Sequence, residues 1–151
     1  MATRNDPYSA FNFLVKLGDI PPAETEIFGG FSDVSGLGNE VKYSEYRNGN
    51  EENHVRKIPN VNSTDDVTLK RGVIGDLRLF SWLKATRDGT IDRRTVTITL
   101  LDESRKAACR WVLGNAQPKK WVGPTLSAKG GAEVAMEELH LVAETIEFQQ
   151  A

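Results

Sequence analysis

The chain has 151 residues, 39% of them hydrophobic and 26% charged, with 19 basic against 21 acidic side chains and a formal net charge of −2. That length suits one domain over residues 1–151 with a modest core, and the balance excludes a disordered chain or one built of apolar membrane spans. Near neutrality leaves no overall electrostatic footprint for nucleic acid or lipid, and the single Cys109 excludes an intrachain disulfide.

Residues 10–18, AFNFLVKLG, alternate Phe11, Phe13, Val15 and Leu17 with Asn12, Leu14 and Lys16, the pattern of a half-buried strand. The prolines of GDIPPAE end it, because they cannot donate to a ladder. IFGGFSDVS at 27–35 reads as a second strand, with Gly29 and Gly30 marking a bulge or a close backbone approach. GLGN at 36–39 is a turn. A third strand at 40–47 alternates Val41 and Tyr43 with Glu40, Lys42 and Ser44, and Tyr46 stands at its end.

An extended polar loop is expected at about 48–63, where Asn, Gly, Glu, Arg and Lys dominate. A long polar loop in a compact domain calls for a use. DDVTLKRGVI resumes a strand, with Val67 and Leu69 facing away from Thr68 and Lys70. GDLRLFSWLKATRDG predicts the one helix: Asp76 can cap it, Leu79, Trp82 and Leu83 form its apolar stripe, and Gly89 ends it. RRTVTITLLDESRKAACRWVLGNA predicts a hairpin turning at Asp102-Glu103-Ser104. Within it Cys109 reads as a small buried apolar residue. A second long loop is expected at about 115–131. In the last segment, AEVAMEELHLVAETIEF, Met136, Leu139, Ala143 and Ile146 fit a helical face, and Ala and Glu favour helix. Val134–Met136 and Ile146–Phe148 fit strand alternation instead.

Catalytic signatures are missing from the sequence. His54 and His140 lie far apart without Cys or His neighbours, so no zinc site is expected. There is no P-loop and no G-x-S-x-G motif. The Asp65-Asp66 pair fits an acid–base dyad or a solvated turn, and the turn is the commoner meaning. No catalytic residue, metal or cofactor is therefore expected, and a binding or structural role gains weight.

Five phrases in order, GFSDVSGL at 30–37, EYRNGN at 45–50, RKIPN at 56–60, VTLKRGV at 67–73 and NAQPKKWVGPTLSAKGGAEVAMEELHL at 115–141, resemble the tail-tube proteins of contractile phages. They resemble the inner-tube proteins of phage-tail-like contractile injection systems more closely still. The resemblance runs from about residue 10 to 148, and the type VI secretion tube protein shares the fold. It implies a mainly β protein with one flanking helix, two packed antiparallel sheets forming a barrel-like body, and a strand rather than a helix in the last segment.

The same resemblance implies a structural, non-enzymatic protomer of a hollow inner tube. Six copies form a ring, rings stack inside a contractile sheath, and contraction drives the tube through a target envelope. The implied partners are the chain itself, the sheath protein, the baseplate or hub with its tube initiators, and cargo in the lumen, without membrane insertion of the monomer. The implied place is a phage-tail-like particle assembled in the bacterial cytoplasm, then released or membrane-attached. Arg47, Glu51, Glu52, His54, Arg56 and Lys57 are candidates for contacts between rings. Glu40, Lys42, Ser44, Thr68 and Lys70 are candidates for the lumen wall. Two other readings stay open: the tail tube of a phage virion that delivers DNA, and a small ligand-binding β-barrel or enzyme, which would require a deep apolar pocket with convergent polar groups.

Overall fold

The computed structural model describes residues 6–18, 31–47, 49, 55–73, 77–130 and 134–151. In chain order they form β1 (Phe13–Leu17), β2 (Phe31–Ser35), β3 (Asn39–Tyr46), β4 (Arg56–Thr64), β5 (Val67–Gly72), α1 (Arg78–Arg87), β6 (Arg94–Leu101), β7 (Ala107–Val122), β8 (Met136–Val142) and β9 (Thr145–Gln150). Every strand pairing is antiparallel.

The body is one long sheet folded over at β7. The first half of β7 runs between β6 and β9, and β1 extends that layer beyond β6. Its second half pairs with β8, followed by β5 and β2. Asn115 adopts φ +51° where β7 passes from one layer to the other, a left-handed conformation that Asn tolerates better than most residues. Its side chain donates to Glu144 Oε2 at 2.8 Å.

The core lies between the layers. Val15, Leu17, Val96, Ile98, Leu113 and Ile146 meet Val67, Leu69, Leu139 and Leu141 there, all nearly inaccessible to solvent. These residues sit at alternate positions on their strands, so the pleat sends them to one face. Phe11 does not join them and is 80% exposed. The chain is mainly β with one flanking helix, its two layers forming a barrel-like body that does not close.

Helix α1 packs chiefly on β7. It buries Leu79 and Trp82, while Leu83 is only half-buried. Trp82 Nε1–H donates to the Asp92 carbonyl at 2.9 Å, which satisfies its buried polar atom. Phe80 meets Trp121 edge-on at 5.1 Å. Leu77 occupies the N-cap without a side-chain bond, and the expected cap, Asp76, lies outside the described residues. The helix ends as expected at Gly89, with φ +98° and its N–H donating to the Thr86 carbonyl at 3.2 Å. The β6–β7 hairpin also turns where expected: Asp102 Oδ1 accepts from the Ser104 and Lys106 backbone N–H groups, both at 2.9 Å. Cys109 is buried on β7.

Two expectations need correction. The polar loop does not extend to 63, because residues 56–64 form β4 on β3. Pro59 and two Asn residues break the alternation there, and the strand buries so little that it needs no apolar face. The second loop does not begin at 115, because residues 115–122 continue β7. Pro118 sits at a register shift against β8, a place where a missing N–H is tolerated. The last segment is strand, as the resemblance implied: it holds β8 and β9, and pairing overrides the helix propensity of its Ala and Glu residues. Gly29 and Gly30 lie outside the described residues, but a bulge does occur in β2 between Phe31 and Asp33.

Candidate assembly surfaces

Strands β3 and β4 form a separate two-stranded sheet that stands off the body as an arm. All eight residues of β3 are exposed. Alternation along β3 sends Asn39, Val41, Tyr43 and Glu45 to one face, and Glu40, Lys42, Ser44 and Tyr46 to the other. Opposite the first set stand Thr64, Asn62, Pro59 and Lys57; opposite the second stand Ser63, Ile58 and Arg56. A bulge in β4 places Asn60 on the second face, where its Nδ2 donates to Ser44 Oγ at 2.8 Å. Arg56 and Lys57 therefore point to opposite faces.

Both faces carry exposed apolar side chains. The first has Val41 and Tyr43, and the second has Tyr46 and Ile58. A hairpin standing alone in water gains nothing from apolar groups on two faces. Such groups contribute when another surface covers them.

The arm's root is fixed to the body. Asn39 Nδ2 donates to the Ile146 carbonyl at 2.8 Å, and Thr64 Oγ1 donates to the Ala143 carbonyl at 2.7 Å. Gly36 has φ +85°, and a Cβ there would run into the Asp66 carbonyl. Asp65 N–H donates to the Gly38 carbonyl at 3.0 Å. Asp66 is also held by Lys119, Nζ to Oδ2 at 2.5 Å. The Asp65-Asp66 pair thus serves the joint between body and arm, which favours the turn over the acid–base dyad.

A second polar surface covers the outer face of the β2–β5–β8–β7 layer. Thr68 and Lys70 lie there beside His140 and Glu138, their cross-strand partners on β8. Lys70 Nζ is 3.1 Å from Glu138 Oε1, His140 Nε2 is 3.3 Å from Glu138 Oε2, and Thr68 Oγ1 is 3.1 Å from His140 Nδ1. The hydrogen bond from Lys70 holds the Glu138 carboxyl below the usual glutamate range, with desolvation opposing it.

Of the residues singled out from sequence, Thr68 and Lys70 come together in this network. Glu40, Lys42 and Ser44 share one face of the arm, and Arg47, Arg56 and Lys57 stand near its far end. Glu51, Glu52 and His54 lie outside the described residues. Sequence reasoning missed Asn39 and Thr64 at the root, and Glu138 and His140 on β8. Reading 136–142 as a strand would have placed the last two on one face; the anchors depend on long-range placement that no local pattern carries.

The apolar pocket required by the ligand-binding alternative has a poor counterpart here. A cleft of about 350 Å³ lies between the layers, lined by Phe13, Val34, Leu37, Ile98 and Trp111, with Ser32 and Asp33 at its edge. Among the described residues no group of three His, Cys, Asp or Glu side chains is placed to hold a metal ion. Nor is any helix there long and apolar enough to cross a membrane.

Comparison with known proteins agrees with this architecture. One solved structure is the PVC sheath–tube complex of an extracellular contractile injection system in its extended state. One of its chains is 26% identical, with a TM-score of 0.82, covering 97% of this chain and 94% of that one. A chain of the anti-feeding prophage tube-terminating cap is 25% identical, with a TM-score of 0.83, covering 100% and 96%. Hcp1 from Flavobacterium johnsoniae shares the fold at 12% identity, with a TM-score of 0.59, covering 93% and 97%. No curated protein sequence matches the chain. Residues 9–147 match the family described as T4-like virus tail tube protein gp19, and the chain belongs to that family.

Proposed function

We propose that the chain is the structural protomer of the hollow inner tube of a contractile injection machine. Its role is assembly rather than catalysis. Copies close into six-membered rings, the rings stack inside a contractile sheath, and shortening of the sheath propels the tube through a target envelope. The observation that carries this reading is likeness over 97% of the chain to a chain of a sheath–tube complex, at 26% identity. Its partners are further copies of itself, the sheath, and the baseplate that starts the tube. It acts as part of a phage-tail-like particle assembled in the bacterial cytoplasm.

The residues fit that role. The arm's two apolar-bearing faces and its pinned root make a projecting element suited to contacts between copies. Arg47, Arg56 and Lys57 on the arm contribute to contacts between rings, and the unplaced Glu51, Glu52 and His54 belong to the same segment. The polar outer face with Thr68 and Lys70 suits a water-filled lumen, and Glu40, Lys42 and Ser44 extend that polar character onto the arm. The family match itself favours a second reading, the tail tube of a phage virion, which uses the same part.

Mass photometry of the purified protein at micromolar concentration tests the assembly. Six-subunit particles and their multiples are expected. A protein that stays monomeric, also when co-expressed with its sheath and baseplate, overturns the reading.

A further inference from the structure

Glu138 and His140 stand two residues apart on β8, so both side chains project from the outer face of the β2–β5–β8–β7 layer. Each side chain is partly exposed, Glu138 29% and His140 26%, so solvent and its ions reach them. The imidazole Nε2 and the carboxylate Oε2 lie 3.3 Å apart. That is long for an N–H···O hydrogen bond, which runs to about 3.2 Å. It is the spacing of two donors on one tetrahedral zinc ion. Bonds of about 2.0–2.2 Å at the tetrahedral angle place a nitrogen and an oxygen about 3.3–3.5 Å apart.

The remaining polar atoms of both side chains are held by neighbours. Lys70 Nζ lies 3.1 Å from Glu138 Oε1, which leaves Oε2 as the oxygen turned toward the imidazole. The same contact favours the ionised carboxyl, the form that binds a cation. Behind the ring, His140 Nδ1 is 3.1 Å from Thr68 Oγ1. A metal on Nε2 requires the ring proton on Nδ1. Thr68 can accept that proton's hydrogen bond, because a hydroxyl both donates and accepts. An acceptor behind the ring is the usual means of orienting a metal-bound histidine.

Charge and donor type select the class of ion. Lys120 stands opposite His140 in the β7–β8 ladder, and Lys70 stands opposite Glu138 on β5. A hard ion such as Mg²⁺ or Ca²⁺, which needs several oxygen ligands, gains little beside one carboxylate and two ammonium groups. An imidazole nitrogen beside a carboxylate oxygen suits Zn²⁺ or Cu²⁺. Among the described residues no third His, Cys, Asp or Glu completes the set. Water therefore fills the other coordination positions, and the ion stays exchangeable.

We propose that Glu138 and His140 form a two-residue chelate for a divalent transition metal ion of the zinc class, with Thr68 and Lys70 as its supporting partners. This goes beyond the tube reading and does not depend on it.

Calorimetric titration of the untagged protein with Zn²⁺, and electron paramagnetic resonance with Cu²⁺, test the site. One Zn²⁺ per chain is expected, and the copper spectrum should show coupling to an imidazole nitrogen. His140→Gln and Glu138→Gln should each weaken zinc binding by more than about tenfold, since a lost ligand costs more than a lost supporting partner. Thr68→Val should weaken it by about tenfold. The chain has one other histidine, His54, and His54→Gln should leave binding unchanged. Mg²⁺ should give no binding heat at the same concentration. Circular dichroism checks each fold, and if one ligand variant unfolds the other carries the test. No zinc binding by the wild-type protein, full binding by a folded ligand variant, or its loss in His54→Gln overturns the proposal.

Discussion

Arg71 and Glu137 face each other across β5 and β8 with their side chains almost fully buried, Nε to Oε1 at 2.5 Å. Trp121 Nε1–H donates to the other carboxylate oxygen at 3.2 Å, and the guanidinium lies 5.7 Å from the Phe31 ring centroid. The pair occupies the inward positions that Val67, Leu69, Leu139 and Leu141 fill further along the same strands. A buried ion pair adds little over a well-packed apolar pair, but removing one partner strands the other charge. Glu137→Ala is therefore expected to destabilise the fold by about 3–5 kcal/mol, measured by denaturant unfolding. The double variant Arg71→Met, Glu137→Leu should recover most of that loss. A Glu137→Ala protein as stable as wild type would show that Arg71 finds another acceptor.

Trp82 is 2% exposed and ties α1 to the body through its ring and its N–H. The Arg94 guanidinium carbon lies 4.7 Å from the ring centroid. Trp82→Ala should cost about 3–5 kcal/mol through the cavity it leaves, giving unfolded or insoluble protein. Trp82→Phe should retain most of the stability in thermal unfolding. A well-folded Trp82→Ala variant defective only in assembly would place this side chain at an interface between copies.

Gly36 sets the angle at which the chain enters the arm. Alanine there would need φ +85° and would place its Cβ against the Asp66 carbonyl, a strain of about 1–3 kcal/mol before any clash. Gly36→Ala should lower the melting temperature and impair assembly. Gly49, where an added Cβ meets nothing within 4 Å, provides the control for stability, and Gly49→Ala should leave the melting temperature unchanged. Equal behaviour of the two variants would remove the joint from the account.

Two half-buried carboxylates link stability to acid. The Asp102 carboxyl is held below the usual aspartate range, chiefly by the Lys106 N–H and then by the Ser104 hydroxyl. Lys70 does the same for Glu138. A carboxylate whose pKa falls on folding contributes stability above its unfolded value and loses it as pH drops through the folded value. Stability should therefore hold above about pH 5 and decline as pH falls below about 4. Asp102→Asn and Lys70→Met should each flatten that decline in melting temperature against pH. A slope unchanged in both variants would assign the acid response to other groups.

Legibility in the sequence followed burial. Strands β1, β5 and β6 and helix α1 bury one face, so their apolar period shows. Strand β4 buries nothing along RKIPNV and was hidden inside a polar loop. The second half of β7 contains Asn115, Pro118, Lys119 and Lys120 and looked like loop, because its pairing with β8 depends on partners distant in the chain. Arg71 and Glu137 were illegible for a related reason: charged residues at inward positions resemble breaks in the pattern until the register brings them together. The C-terminal strands were reached through family resemblance against local propensity. Candidate contact residues could be named from the arm's polarity, but the opposite orientations of Arg56 and Lys57 follow from a ladder and a bulge that the sequence does not display.

Electron microscopy of the purified protein, alone and together with its sheath and baseplate, tests the central claim most directly. The account predicts sixfold rings stacked into hollow tubes, with each arm seated on a neighbouring copy. Dispersed monomers under every one of these conditions would contradict it.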